Sequence, residues 1–511
     1  MRSERRVLRG FGWSAAYTVM TRLSTLAAVP LVLHGLGTRL YGVWVLAGSL
    51  VLIQSLFDLG AASAMVRYVA VAAAAGSREA VLSITRRTLA FYIGLSLLVS
   101  VPLWFLAGAV VDLVPFIGAH LRPEATTIVR WAAVAFALTN VVLVIGSALQ
   151  GINQVAASYR AQTIGWIVYL PILAAGLATW DPSQAVGVAW VAGFGLQLLL
   201  LIPSFVRHVR RLPNHPSPVP TLRELFSFGG RWQVSAWADF ATFQLPRFLV
   251  GFGLSAQDLL TLDVSIRAAQ AAVAPAMAFY PVVLPRAAEI VVSEGMTALR
   301  SMLQRYSAYG SLVLIGGACA LIPLEVPALS LWTGRPAASF DQLAAGLIFV
   351  GTSAHASTGL LTSAQLALGN VRSVMRYKAL QLALAVILLV VAAPVGLWAV
   401  ALGLTTALLV PAIIYNRRAA ASLELRWPVT DRQLGPLVLI GAVATAGPGI
   451  IVVAALKRTL PAWELLAVAA AVTAPLLAVA GRLILTRFAS RPQMLTTASG
   501  RLATPAHFSR K

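Results

Sequence analysis

The sequence predicts an all-α polytopic membrane protein with about fourteen transmembrane helices. Hydrophobic residues make up 59% of the 511 residues, and the mean hydropathy is +0.82. Charged residues make up only 11%, against about 25% in soluble domains, so the chain cannot cover a soluble globule with polar surface. The third observation is a series of apolar segments that are each long enough to cross a hydrocarbon core about 30 Å thick.

The apolar segments follow one another with short breaks. Those before the longest polar connection are residues 11–33, 41–57, 89–111, 128–149, 157–177 and 185–205. Those after it are 228–252, 259–284, 306–324, 343–366, 379–393 and 395–415, followed by 434–455 and 463–485. Their lengths predict six spans on each side of the connection and two more at the end.

The longest polar connection is the best candidate for a linker, because it carries Arg210, Arg211, Arg223 and four prolines. The predicted division of the chain is an N-terminal lobe (1–206), a cytoplasmic linker (207–226), a C-terminal lobe (227–418), an accessory helix pair (419–486) and a cytoplasmic tail (487–511). Two sets of six spans indicate an internal repeat, and in transporters the substrate path lies between such repeats.

Positive charge in the short connections predicts the topology. About thirty of the 39 Lys and Arg fall on one side of the alternating connections and about six on the other, which by the positive-inside rule places both termini in the cytoplasm. The net charge of +22 therefore reflects membrane topology, and we expect no nucleic-acid partner.

Absent motifs exclude several kinds of chemistry. The chain has no P-loop, no G-x-G-x-x-G, no H-E-x-x-H and no G-x-S-x-G, and its one cysteine, Cys319, lies inside an apolar run. The predicted outer connections are too short to hold a catalytic domain. We therefore expect no enzymatic activity, no cofactor and no metal site.

Charged residues inside apolar spans are the candidates for function, because burying an unpaired charge in a membrane is costly. Arg22 lies near the middle of the first span, with no acidic residue within two turns of its own helix. It either faces a central anion-binding cavity or pairs with helix carbonyls or with an acid on another span. Asp239 and Arg247, eight residues apart and about 12 Å along one helix face, do not pair directly but could line one cavity wall.

Arg267 follows Asp263 by four residues, the spacing of neighbours on one helix face. The pair could be a structural salt bridge near the outer surface, or Arg267 could face the cavity, and the sequence leaves both open.

The first two spans carry a resemblance to a known family. An arginine in the first span is followed by LG-x-x-x-YG-x-W at residues 36–44 and by Asp58-Leu59-Gly60. This order resembles the polysaccharide flippase branch of the multidrug/oligosaccharidyl-lipid/polysaccharide (MOP) superfamily. The resemblance implies a bacterial cell-membrane protein with two pseudo-symmetric six-helix lobes around a central cavity and an accessory pair of helices.

The same resemblance implies a function. Members of this branch flip a polyprenyl-diphosphate-linked oligosaccharide from the cytoplasmic to the outer leaflet by alternating access, for cell-surface polysaccharide synthesis. Expected partners are the lipid-linked glycan, membrane lipids, and polysaccharide polymerase or glycosyltransferases. The substrate-binding candidates are Arg22, Arg247, Asp239 and Arg267. In the family an acidic residue often directly precedes the arginine at the position of Arg247, and here Pro246 takes its place.

Two alternatives remain open. The first is a cation-coupled exporter of drugs or small molecules from the same superfamily, which would need an acidic cavity for cationic substrates. The second is a membrane scaffold for a polysaccharide synthesis complex that transports nothing. The excess of arginine over acid within the spans favours the flippase.

Overall fold

The computed structural model describes residues 2–57, 60–216, 219–425 and 446–489, and within them the chain forms helices and no β-strand. The helices are α1 (Arg2–Val51), α2 (Gln54–Phe57), α3 (Ala61–Ala74), α4 (Arg78–Phe105), α5 (Ala107–Asp112), α6 (Arg122–Gly151), α7 (Val155–Thr179), α8 (Pro182–Val209), α9 (Leu222–Phe243), α10 (Leu245–Gly253), α11 (Ala256–Ser293), α12 (Gly295–Thr333), α13 (Gln342–Ala356), α14 (Gly359–Ala367), α15 (Val371–Ala392), α16 (Leu397–Ser422), α17 (Ala446–Leu456) and α18 (Ala462–Ala489). The prediction of an all-α polytopic membrane protein is confirmed.

Nine helical stretches of the described residues are long and apolar enough to cross a membrane, and the first, Gly12–Phe57, contains both the first and the second predicted spans. Three shorter apolar helices include Leu321–Thr333, at the end of the ninth predicted span. The thirteenth predicted span is described only from residue 446, and the tail beyond Ala489 lies outside the described residues. The total of fourteen spans stays a prediction.

Gly37 separates α1 into two arms. Its backbone has φ 74° and ψ 172°, a conformation that side chains with a Cβ rarely adopt. The break falls inside the Gly35 to Gly42 segment where the sequence predicts a turn. Arg22 is therefore on the first arm, and Tyr41 and Trp44 are on the second.

A further helix follows the second predicted span. The candidate span of the structure also ends at Phe57, and α3 begins after Gly60, which adopts a left-handed conformation with φ 69°. The small and apolar residues from Ala61 onward continue the apolar pattern. Arg67 lies within α3.

The linker docks onto the start of α4. This helix begins at Arg78, eleven residues before the predicted third span, with Ser77 as its N-cap. The backbone N–H of Arg78 donates to the Pro213 carbonyl (2.9 Å), and that of His215 donates to the Gly76 carbonyl (3.0 Å). Helix α8 ends at Val209 and α9 begins at Leu222, and the division of the chain at 207–226 stays a prediction.

The helices pack in two groups that meet along α1. Helices α1, α4, α6, α7 and α8 pack against one another, and α9 to α16 form the second group, with α18 against α12. Glycines allow close approach within a group: a Cβ on Gly187 of α8 would overlap the Trp131 ring of α6. Between the groups, Gly251 of α10 lies directly against Leu46 of α1.

A second junction between the groups lies near α2. Gln233 Nε2 donates to the carbonyls of Ser55 (2.8 Å) and Leu56 (3.0 Å), and Trp237 Nε1 also donates to the Leu56 carbonyl (3.0 Å). These bonds satisfy carbonyls that the short, interrupted helix leaves without partners. The break in the second span is thereby tied to α9 of the other group.

Candidate functional site

A cavity of about 450 Å³ lies between the two groups of helices. One side is lined by α1, α6, α7 and α8, and the other by the residue between α9 and α10, by α10 and by α11. Three of the four predicted site residues, Arg22, Arg247 and Arg267, line this cavity.

Asp263 is the centre of the ionic network beside the cavity. Its side chain has no exposed area, and its Oδ1 accepts from Arg247 Nε (2.8 Å). Its Oδ2 accepts from Arg267 Nε (2.7 Å) and from the Tyr41 hydroxyl (2.6 Å). Because Tyr41 is on α1 and the other residues are on α10 and α11, this carboxylate joins the two groups of helices.

Arg247 is held by a helix break. Helix α9 ends at Phe243, and Pro246 occupies the first turn of α10, where its missing N–H costs no hydrogen bond. Arg247 Nη1 donates to the Phe243 carbonyl (2.7 Å) and to Gln244 Oε1 (2.8 Å). The family's usual acid directly before Arg247 is absent from this sequence, and Asp263 on α11 provides the carboxylate partner of Arg247 instead. With its side chain only 7% exposed, Arg247 is committed to this network.

Arg267 combines the two interpretations that the sequence left open. It forms the expected i,i+4 salt bridge with Asp263, and it also lines the cavity, with its guanidinium 5.2 Å from the centre of the Trp44 ring. The Asp263 side chain is fully buried within the protein, and the expected position of the pair near the outer surface stays a prediction. Only Nε of Arg267 bonds to the carboxylate, and its two Nη groups have no partner among the described residues.

Arg22 reaches across the cavity to α11. Its Nη1 donates to Gln270 Oε1 (3.0 Å), and no carboxylate of the described residues lies within ion-pair distance of its guanidinium. The side chain is exposed, and it lines the cavity. Arg22 is therefore bound to a neutral partner that leaves its charge uncompensated.

Asp239 does not line the cavity. Its Oδ1 accepts from Lys378 Nζ of α15 (2.7 Å), and one turn further on Gln381 Nε2 donates to the Thr242 hydroxyl (2.9 Å). The break at Gln244 separates α9 from α10, so Asp239 and Arg247 do not share one continuous helix face as expected. A role of Asp239 in substrate binding stays a prediction.

Several residues of the site were not identified from the sequence. Trp44, which lines the cavity, and Tyr41, which donates to Asp263, belong to the LG-x-x-x-YG-x-W segment, which indicated them only as part of a motif. Gln270 follows Arg267 by three residues on the same helix face. This spacing alone could have placed Gln270 beside Arg267 from the sequence.

The cavity has an excess of positive charge and polar atoms without partners. Three arginines line the cavity and one carboxylate, Asp263, pairs with two of them, so this group carries a net charge of +2. Thr21 Oγ1, Trp44 Nε1 and Gln54 Oε1 are buried at its wall and make no hydrogen bond. Guanidinium, indole and hydroxyl donors around one space form a site suited to an oxyanion.

No protein-family model and no curated protein sequence matches the chain. Among solved structures, the chain is similar to the lipid II flippase MurJ in an inward closed conformation, with a TM-score of 0.58 and 14% identity over 93% of this chain and 98% of that one. It is also similar to a multidrug resistance MATE family transporter of the MOP superfamily in an inward-facing conformation, with a TM-score of 0.56 and 13% identity over 80% and 94%. A MOP superfamily transporter from Pyrococcus furiosus gives a TM-score of 0.54 and 13% identity over 82% and 95%. This chain has the fold of the MOP superfamily transporters.

Proposed function

We propose that the chain is a transporter that flips a polyprenyl-diphosphate-linked oligosaccharide from the cytoplasmic to the outer leaflet of a bacterial cell membrane by alternating access. The observation that carries this proposal is the net positive group of arginines in the cavity between the two groups of helices. The fold is shared with a solved lipid II flippase over 93% of the chain, which supports a lipid-linked substrate.

The free N–H groups suit a diphosphate. Arg267 uses Nε for Asp263, which leaves both Nη groups for phosphate oxygens, and Arg22 uses only Nη1, for a neutral amide. A guanidinium donates two parallel hydrogen bonds to a phosphate, and both phosphates of a diphosphate are negatively charged. Arg22 and Arg267, on α1 and α11, would therefore bind the head group from both sides of the cavity.

Aromatic side chains provide surfaces for sugar rings. Tyr17, Trp166, Trp190 and Phe194 line the same cavity, and the Trp166 ring makes an edge contact with Phe194 at 6.2 Å. Aromatic residues offer a large apolar face and, in Tyr and Trp, a polar edge. The volume of about 450 Å³ is within the usual range for small-ligand sites, so the diphosphate and the first sugar would occupy it while the lipid chain stays in the membrane.

Arg247 and Tyr41 act as positioning residues in this scheme. Both bind Asp263, which in turn fixes Nε of Arg267 and so aims its Nη groups. Two guanidinium groups and a hydroxyl already occupy the oxygens of Asp263, so this acid has no free oxygen for a cationic drug. This argues against the exporter of cationic drugs. A scaffold that transports nothing has no need of uncompensated cavity arginines, although glycosyltransferases or a polymerase remain expected partners.

The test is flipping of a fluorescent polyprenyl-diphosphate-linked oligosaccharide by the purified protein in vesicles. We expect Arg22→Ala to abolish flipping while insertion and thermal stability stay unchanged, because the variant removes an uncompensated charge. Arg22→Lys should keep part of the activity, since the charge remains but the bidentate geometry is lost.

The matched control is Arg130→Ala. Arg130 is exposed, lies against the Trp104 ring at 5.8 Å and does not line the cavity. It should flip like the wild type. Full activity of Arg22→Ala would refute the cationic-cavity mechanism, and wild-type protein that flips no lipid-linked glycan would favour the scaffold.

A further inference from the structure

Glu325 is a buried acid that the cavity mechanism does not use. It lies on α12, its exposed fraction is 5%, and neither carboxylate oxygen has a hydrogen-bond partner among the described residues. An ionised carboxylate is very unfavourable in such a place, whereas the neutral acid is tolerated. The geometry therefore favours a proton on Glu325.

Two acceptors near this part of α12 have no donor. Gln342 of α13 donates from Nε2 to the Ile322 carbonyl (3.2 Å), and its Oε1 is buried without a partner. Ile322 lies one turn before Glu325, and helical side chains lean toward the preceding turn. Pro327 has no N–H, so it also leaves the Pro323 carbonyl without its helical donor. A protonated Glu325 would bring the O–H donor that these acceptors lack.

No charged group of the described residues compensates Glu325. Helices α1, α11, α13, α14 and α18 pack against α12. Ionisable residues of these elements and of the adjoining turns include His34, Arg39, Asp258, Asp263, Arg267, Arg335, Asp341, His355, Lys457, Arg458 and Glu464. Within the described part of the chain, none of them forms an ion pair or a hydrogen bond with Glu325.

The end of α12 is one of the contacts that hold the two groups of helices together. Trp332 Nε1 donates to the Leu26 carbonyl of α1 (3.1 Å), and Gly334 lies against the His34 ring. Glu325 lies two turns before this contact, between Pro323 and Pro327, and prolines are the usual sites of helix bending. Separation of α12 from α1 would therefore move the segment that contains Glu325.

The accessory helices cover the same segment. A Cβ on Gly449 of α17 would come within 2.7 Å of both Pro323 and Thr473 of α18, so the three helices are in close contact there. Glu325, with only 5% of its surface exposed, therefore lies in a segment of α12 that the accessory helices cover.

We propose that Glu325 is a proton-binding site that is linked to closure of the two groups of helices. The closed arrangement binds a proton from water at the carboxylate, and opening at the end of α12 hydrates the acid and releases the proton to water. By linkage, acid pH then favours the closed arrangement. A role of Glu325 in coupling proton movement to transport rests on the proposed function, whereas proton binding by Glu325 does not.

Two measurements on the purified full-length protein test this without any glycan. The first is the infrared C=O stretching band of a protonated carboxyl at neutral pH, which we expect in the wild type and expect to be lost in Glu325→Gln. The second uses nitroxide labels at the exposed positions Arg39 and Leu331, in a background with Cys319 replaced by Ser, to measure the distance between α1 and α12. At alkaline pH we expect the wild type to show a second, longer distance between the two labels.

In Glu325→Gln, which mimics the neutral acid, the short distance should persist at every pH. Glu464→Gln on α18 is the matched control and should behave like the wild type. If Glu325→Gln does not insert, Glu325→Leu replaces it for the infrared band, and the wild-type distances against pH still test the linkage.

Absence of the protonated band in the wild type, or an unchanged pH response in Glu325→Gln, would overturn the proposal. A protein that shows both signals but flips no lipid-linked glycan keeps the proton site and loses the proposed function. The two failures are therefore distinguishable.

Discussion

The ionic group beside the cavity and the pair formed by Asp239 and Lys378 differ in charge balance. At the cavity, two arginines pair with Asp263 and a third, Arg22, has no acid, and the contacts join α1 to α10 and α11. Asp239 and Lys378 balance one another within the second group of helices, and neither lines the cavity. A balanced pair can be explained by stability alone, whereas surplus charge beside a cavity is unfavourable until an anion binds. Charge excess, more than charge itself, marks the candidate site.

The largest expected effect is that of Asp263→Ala. It leaves the buried guanidinium of Arg247 and that of Arg267 without their acid, which in comparable buried networks costs about 3–5 kcal/mol. We expect a large loss of folded protein, measured as yield of inserted protein and as unfolding in detergent.

The control for Asp263→Ala is Asp258→Ala on the same helix. Asp258 accepts only from Ser255 at the start of α11 and lies outside the network. Its loss should cost about 1 kcal/mol as a helix-start contact. Equal destabilisation by the two variants would mean that Asp263 is not the centre of the cluster.

These two clusters also show what the sequence could predict. A charge inside an apolar run can be recognised from the sequence alone. This pattern identified Arg22, Arg247 and Arg267, and all three line the cavity. The i,i+4 spacing likewise predicted the pair formed by Arg267 and Asp263. The partners set by tertiary packing were not visible.

Long-range pairing explains the remaining differences. Tyr41 is 222 residues from Asp263, and Lys378 is 139 residues from Asp239, so no local pattern connects them. The break at Gln244 separates Asp239 from Arg247, and the left-handed Gly60 precedes a further helix, α3, that was not predicted as a separate element. Single backbone conformations of this kind decide which face a residue occupies.

The next effect concerns the balanced pair. Asp239→Ala leaves the Lys378 ammonium without its acid, but the Asp239 side chain is 49% exposed, so water can reach the pair and we expect a loss of about 1–2 kcal/mol. Flipping per inserted molecule should remain near the wild-type level. The same measurement on Asp239→Asn, which keeps the shape, serves as the control. Abolished flipping in folded Asp239→Ala would place this acid in the substrate path, as the sequence predicted.

The last effect, similar in size to that of Asp239→Ala, is expected for Tyr41→Phe, which removes one contact to Asp263 and no charge. The hydroxyl donates to Asp263 Oδ2 at 2.6 Å, but that oxygen keeps Arg267 and the other keeps Arg247, so the carboxylate stays paired. One hydrogen bond to a charged group that retains other partners is worth about 1–2 kcal/mol, and this is the loss of unfolding free energy we expect. Flipping should persist with a reduced rate, because Arg267 is then aimed less firmly.

Trp44→Phe, on the same arm of α1, is the control for a change in aromatic packing. If Tyr41→Phe destabilised the protein as much as Asp263→Ala, the junction between the helix groups would depend on the hydroxyl, and the arginines would be secondary.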